Sequence, residues 1–208
     1  MPSKFRLRYI FKPLVVRIAK RLTKINISPN MATGIMLFNA ILSFLFLVIF
    51  QNLLLFSILV FTTGIFDGVD GAIARLTDTE STFGGFFDSF MDRISEFIIL
   101  LALAFYFWDS SFWILDMNFI ILVGFLASIM FSYSRARAEA LFKGDFDVGL
   151  MARSERLFYI FITMLVAYFI GLGEFFIFLF MVLVVLSAIY RGVYIYFQIK
   201  KHVKQNKN

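Results

Sequence analysis

The sequence predicts an all-α integral membrane protein, a bundle of six spanning helices preceded by an amphipathic juxtamembrane helix. Two observations carry this expectation. Of 208 residues, 61% are hydrophobic and only 16% charged, whereas soluble domains are about half apolar and about a quarter charged. The apolar residues also arrive in runs long enough to cross a bilayer core, which takes about 20 helical residues.

The elements follow in order. Leu7, Ile10, Phe11, Leu14, Val15 and Ile18 recur at helical spacing among Lys and Arg, the pattern of a helix lying in the headgroup plane. No charge occurs from Ile25 to Phe66, enough for two spans. The first begins after Ser28-Pro29-Asn30, where Ser28 can cap and Pro29 suits a first turn. Gln51-Asn52 makes a tight turn, and the second span runs from Leu53 into the Asp67 to Arg75 stretch. Gly84-Gly85 opens the third, which ends near Trp108-Asp109. The fourth runs from Phe119 to Tyr133 and continues through Arg137. Leu157 to Ile170 is the fifth, and after a break at Gly171 to Glu174 the sixth runs from Phe175 to Ile199. The domain division is residues 1–26 for the basic helix, 27–199 for the six-helix domain and 200–208 for a basic tail.

Charge sets the orientation. The turns at Gln51-Asn52, Asp109 to Asn118 and Gly171 to Glu174 hold no Lys or Arg, and cytoplasmic loops are the ones enriched in them. A multi-pass protein of the cell membrane is expected, with both termini and both charged loops cytoplasmic. The net charge of +6 gathers at the ends, from Lys4 to Lys24 and from Lys200 to Lys207. Flanking membrane spans, these residues face anionic lipid headgroups rather than nucleic acid. The long basic start, with no short apolar core and cleavage site after it, is not that of a cleavable signal peptide. With no cysteine and a single histidine, His202, in the tail, disulfides, thiol catalysis and cysteine-ligated metals are excluded.

Asp67 and Asp70 are three residues apart, Asp88 and Asp92 four, so each pair shares one face of its helix. Two helices can present four carboxylates to one point. Acids in a membrane bundle also serve as ion-pair partners or line the proton or cation path of a transporter. Here, however, they share their turns with Gly71, Ala74 and Gly84, small residues that let a ligand approach backbone closely. Hard oxygen clusters suit Mg²⁺, Mn²⁺ or Ca²⁺, and two such ions can stabilise the attacking and leaving oxygens of a phosphoryl displacement.

The stretch Asp67-Gly-Val-Asp70-Gly71-Ala-Ile-Ala74-Arg75, then eight residues, Gly84, three, Asp88, three, Asp92 resembles the complete signature of the CDP-alcohol phosphotransferases. The resemblance implies a dimeric six-helix membrane enzyme that passes a phosphoalcohol from a CDP-linked lipid, CDP-diacylglycerol or CDP-archaeol, to an alcohol and releases CMP. By position, it makes Asp67, Asp70, Asp88 and Asp92 ligands of two Mg²⁺ or Mn²⁺ ions, with Asp92 also the base for the acceptor hydroxyl. It assigns Gly71, Ala74, Arg75, Ser81 and Gly84 to the CDP-lipid, with Pro29, Asn30 and Thr33 of the first span.

Ser132 to Glu139, Asp147 to Leu150 and Arg153 to Leu157 further resemble the inositol-phosphate branch, (phosphatidyl/archaetidyl)inositol phosphate synthases, except that Ala152 stands where an acid usually precedes Arg153. That resemblance implies inositol 1-phosphate as acceptor, its phosphate held by Arg135, Arg153 and Arg191. Arg137 and Arg156 are expected as partners of Glu139 and Glu155. The alternatives are the same chemistry on glycerol 3-phosphate, serine or free inositol, and a carboxylate-lined ion or proton transporter.

Overall fold

The computed structural model describes residues 7–142, 144 and 146–205; Lys4, Arg6 and Lys207 of the expected basic flanks lie outside them. The described residues form seven helices and one small hairpin: α1 (Leu7–Thr23), α2 (Pro29–Val48), α3 (Leu53–Leu76), α4 (Thr82–Tyr106), β1 (Ser111–Phe112), β2 (Leu115–Asp116), α5 (Met117–Leu141), α6 (Arg153–Ile170) and α7 (Gly173–Gln205). The protein is all-α in its body, as the apolar periodicity predicts.

Caps fix the helix starts, and they explain where the boundaries differ from expectation. Ser28 Oγ accepts from the Met31 amide at 3.3 Å, and Pro29 fills the first turn of α2. Asn52 Oδ1 does the same for Leu55 at 2.9 Å and opens α3, while Gln51 takes the turn at φ +52. α4 begins at Thr82 rather than at Gly84-Gly85, because Ser81 Oγ caps the Gly84 amide at 3.0 Å; a serine cap outweighs the glycines' poor propensity. The Asp109 to Asn118 turn contains the hairpin, Ser111 opposite Asp116 and Phe112 opposite Leu115. α6 starts at Arg153, four residues before the expected Leu157. Hydropathy reads Arg153 to Arg156 as a loop, yet Arg156 is only 1% exposed. Ala152 at its N-cap offers no side-chain bond. The next break is only Gly171 and Leu172, both at positive φ. Gly173 and Glu174 already belong to α7, where an acid suits a helix start. α7 also runs past Ile199 to Gln205, so the expected tail is helical through that residue.

α2 packs on α3 and α4, α3 on α6 and α1, and α5 on α7. The main core joins Leu47, Phe56, Val60, Leu103, Ile160 and Phe180. A second cluster, Ala19, Ala32, Ile65, Val69 and Ile73, fastens α1 to the bundle through Phe11, Val15 and Ile18. Thus only part of α1's apolar face, Ile10 and Leu14, is exposed. Ring pairs add links: Phe61 to Phe161 joins α3 and α6 at 4.6 Å, and Phe112 to Phe178 ties the hairpin to α7 at 4.6 Å.

Four helices, α2, α3, α5 and α7, are each long and apolar enough to cross a membrane. Their outward faces fit that solvent, since Phe119, Leu122 and Leu126 form an exposed stripe on α5. α4 and α6 are also long, but each carries three or more charges, at the start of α6 and as far as the middle of α4. This is a multi-pass membrane protein.

Candidate active site

The signature residues occupy the last turns of α3 and the first turns of α4, which face each other across one cavity of about 870 Å³. Asp67, Asp88 and Asp92 each bring a carboxylate oxygen to within 4.8 Å of the others. Asp70 lies beside them, within hydrogen-bonding reach of Asp88. It is 3% exposed, and its carboxylate accepts from Thr33 Oγ1 at 2.7 Å and from the Gly71 amide at 2.6 Å. Thr33 comes from the second turn of α2, so three helices meet at this carboxylate.

The donor set fits a hard divalent cation. Asp88 Oδ1 is buried with no hydrogen-bond partner, an arrangement expensive for an anionic oxygen unless a cation compensates it. Oxygen-only ligands drawn from carboxylates match Mg²⁺ or Mn²⁺. Among the described residues, Arg153 of α6 supplies the cation in contact, its Nη1 pairing with both Asp67 and Asp92.

Arg135 and Arg191 line the same cavity. Arg135 Nη1 sits 2.8 Å from Asp147, and its Nε bonds Glu139 at 2.8 Å. Arg191 is 2% exposed and donates to the carbonyls of Val148 at 2.6 Å and Phe131 at 3.1 Å. Its guanidinium lies 3.4 Å from the Phe131 ring centroid. The three arginines therefore open on one space, Arg153 at the aspartates and the other two around Asp147.

A second cavity of about 370 Å³ adjoins the cluster and holds most of the residues assigned to the CDP-lipid: Pro29, Asn30, Thr33, Gly71, Ala74, Ser81 and Gly84, together with Asp70 and Asp88. Arg75 lines the larger cavity with its guanidinium over Gly71, where an added Cβ would lie 3.4 Å from Nη1. Ser81 Oγ accepts from the Gly84 amide in the α4 cap, and its O–H can still donate into this cavity.

Two expected pairings are corrected. Glu139 pairs with Arg135 rather than Arg137, one helical turn along. Arg156 pairs not with its neighbour Glu155 but with Glu96 of α4, at 2.6 and 2.8 Å, because consecutive helix residues point apart. The sequence assigns no role to Glu96 or Asp147, though the spacing of Glu96, one turn after Asp92, is a signal that it shares their face.

Residues 26–199 match the model of the CDP-alcohol phosphatidyltransferase family. The chain belongs to this family. CDP-alcohol phosphatidyltransferases are transferases, and membership replaces the transporter alternative. Among relatives, the archaetidylinositol phosphate synthase of Pyrococcus horikoshii is 39% identical over 150 residues, 72% of this chain and 75% of that protein. The phosphatidylinositol phosphate synthase of Mycobacterium tuberculosis is 30% identical over 153 residues, 72% of this chain and 68% of that protein. The crystal structure of the M. tuberculosis synthase with CDP-DAG bound superposes with a TM-score of 0.74 at 25% identity, covering 88% of this chain and 94% of that one.

Proposed function

We propose that the chain transfers the phosphatidyl or archaetidyl group of CDP-diacylglycerol or CDP-archaeol to a hydroxyl of inositol 1-phosphate, releasing CMP. The observation that carries this reading is one cavity joining clustered aspartates to Arg135, Arg153 and Arg191. The relatives' names support the same acceptor class.

In this reading, two Mg²⁺ or Mn²⁺ ions held by Asp67, Asp70, Asp88 and Asp92 would supply charge stabilisation to the attacking and leaving oxygens. Asp92 takes the proton of the acceptor hydroxyl. That oxygen forms the new bond to the β-phosphorus, the bond from this phosphorus to the CMP oxygen breaks, and CMP leaves with the electron pair. Gly71, Ala74, Arg75, Ser81 and Gly84, with Pro29, Asn30 and Thr33, hold the CDP-lipid, Arg75 through its charge on the diphosphate. The arginines orient the acceptor through its phosphate, which turns a two-body encounter into a positioned one.

All six helices from α2 to α7 cross the cell membrane, and α1 lies at the cytoplasmic headgroups with Ile10 and Leu14 toward lipid. Both termini and the site face the cytoplasm, which fits outer turns devoid of Lys and Arg. Residues 1–26, 27–199 and 200–208 are the basic helix, catalytic domain and tail, and the working unit is a homodimer, as the family resemblance implies.

Purified protein supplied with CDP-lipid and a panel of acceptors tests the reading through CMP release. Inositol 1-phosphate should be turned over in the presence of Mg²⁺ or Mn²⁺, chelation should abolish the signal, and unphosphorylated inositol should be inert. Equal use of inositol and its phosphate, or preference for glycerol 3-phosphate, would defeat the acceptor assignment.

A further inference from the structure

Glu96 and Arg156 make a buried ion pair that the chemistry above does not use. Their side chains are 5% and 1% exposed, and the contact is bidentate. Around it, Ser128 of α5 donates to Glu96 Oε1 at 2.7 Å, and Arg156 Nη1 donates to the Met151 carbonyl at 2.7 Å. The Arg156 guanidinium also lies 5.7 Å from the centroid of the Phe131 ring that Arg191 covers. One pair thus joins α4, α5, α6 and the chain leading into α6.

Position gives the pair its meaning. Glu96 lies one turn after Asp92 on α4, and Arg156 one turn after Arg153 on α6. Since Arg153 contacts Asp92, the two ion pairs are successive rungs between the same helices. Stability alone does not account for burying two charges, because apolar residues of similar volume serve a core as well or better. A planar fork gripping a carboxylate instead fixes distance and rotation together.

Resting on the acceptor reading above, we propose that Glu96 and Arg156 are positioning residues for the acceptor. They set the register of α6 against α4, so that Arg153 stands at Asp92, and they hold Met151 and Phe131 so that Arg191 keeps its place.

The test compares wild type with Arg156→Lys, Ser128→Ala and the apolar double variant Glu96→Leu/Arg156→Met, measuring kcat, both KM values and Tm in one detergent. Arg156→Lys should raise the acceptor KM about tenfold and the CDP-lipid KM less than twofold, since an ammonium keeps the charge but loses the fork. Ser128→Ala removes one neutral donor, so it folds, and it should raise the acceptor KM about threefold. The double variant should recover most of the wild-type Tm and still show the raised acceptor KM. Losses of Tm with both KM values unchanged, or equal rises in both, would overturn the proposal. Wild-type turnover is read first, and if another phosphorylated alcohol is the acceptor, the same comparison is made with that compound.

Discussion

Asp70 is the acid whose surroundings are most fully built, and Thr33 is the part of them that can be removed cleanly. A hydrogen bond to a charged group contributes about 1.5–3 kcal/mol, and tenfold in rate corresponds to about 1.4 kcal/mol. Thr33→Val keeps the shape and deletes the donor at 2.7 Å, so kcat should fall about tenfold or more while Thr33→Ser stays near wild type. Asp67→Asn, Asp70→Asn and Asp88→Asn should each remove nearly all CMP release without unfolding the chain. Each should also blunt the rise in Tm that wild type shows on adding Mn²⁺, because a ligand that binds only the folded state stabilises it. Full activity in any of the three, or an unchanged Mn²⁺ response, would contradict the ligand roles. These aspartates were legible in the sequence because helical spacing places i, i+3 and i+4 on one face whatever the rest of the fold does. Glu96 with Arg156 was not, since sixty residues separate them and nothing local says which charges a bundle will bring together.

At the scale of the element, hydropathy found the described helices but misplaced starts where a polar cap or a buried charge sets them. Ser81 as a cap moved α4 back, and the Arg153 to Arg156 segment joined α6 because Glu96 neutralises Arg156 inside the bundle. A local average cannot anticipate a partner on another helix. The α5 to α7 contact offers a separate test. At Gly124 an added Cβ would lie 1.9 Å from Met181 Sδ and 3.1 Å from Met181 Cβ. Gly124→Ala should therefore destabilise by about 1–3 kcal/mol through overpacking, read as a lower Tm. Adding Met181→Ala should recover part of that loss, and no recovery would mean that the clash lies elsewhere.

For the whole molecule, the arrangement of charge has a consequence for how the chain is made. α2, α3, α5 and α7 are apolar enough to enter the bilayer by themselves, whereas α4 carries Asp88, Asp92, Arg93 and Glu96. On an insertion scale a mid-helix Asp or Arg costs about 2.5–3.5 kcal/mol, so in the six-span arrangement proposed above α4 arrives with a deficit. Arg153 and Arg156, which compensate Asp92 and Glu96, are not synthesised until α5 has already been threaded. In that arrangement the nascent chain would hold α4 in an unsettled place while two further segments emerge, and the membrane insertion machinery would have to tolerate that interval. Truncation after Leu141 should leave α4 loosely seated, with a reporter at Asp109 divided between the two sides. Truncation after Ile170 should place that reporter wholly outside. A reporter already fixed after Leu141 would show that α4 commits without α6.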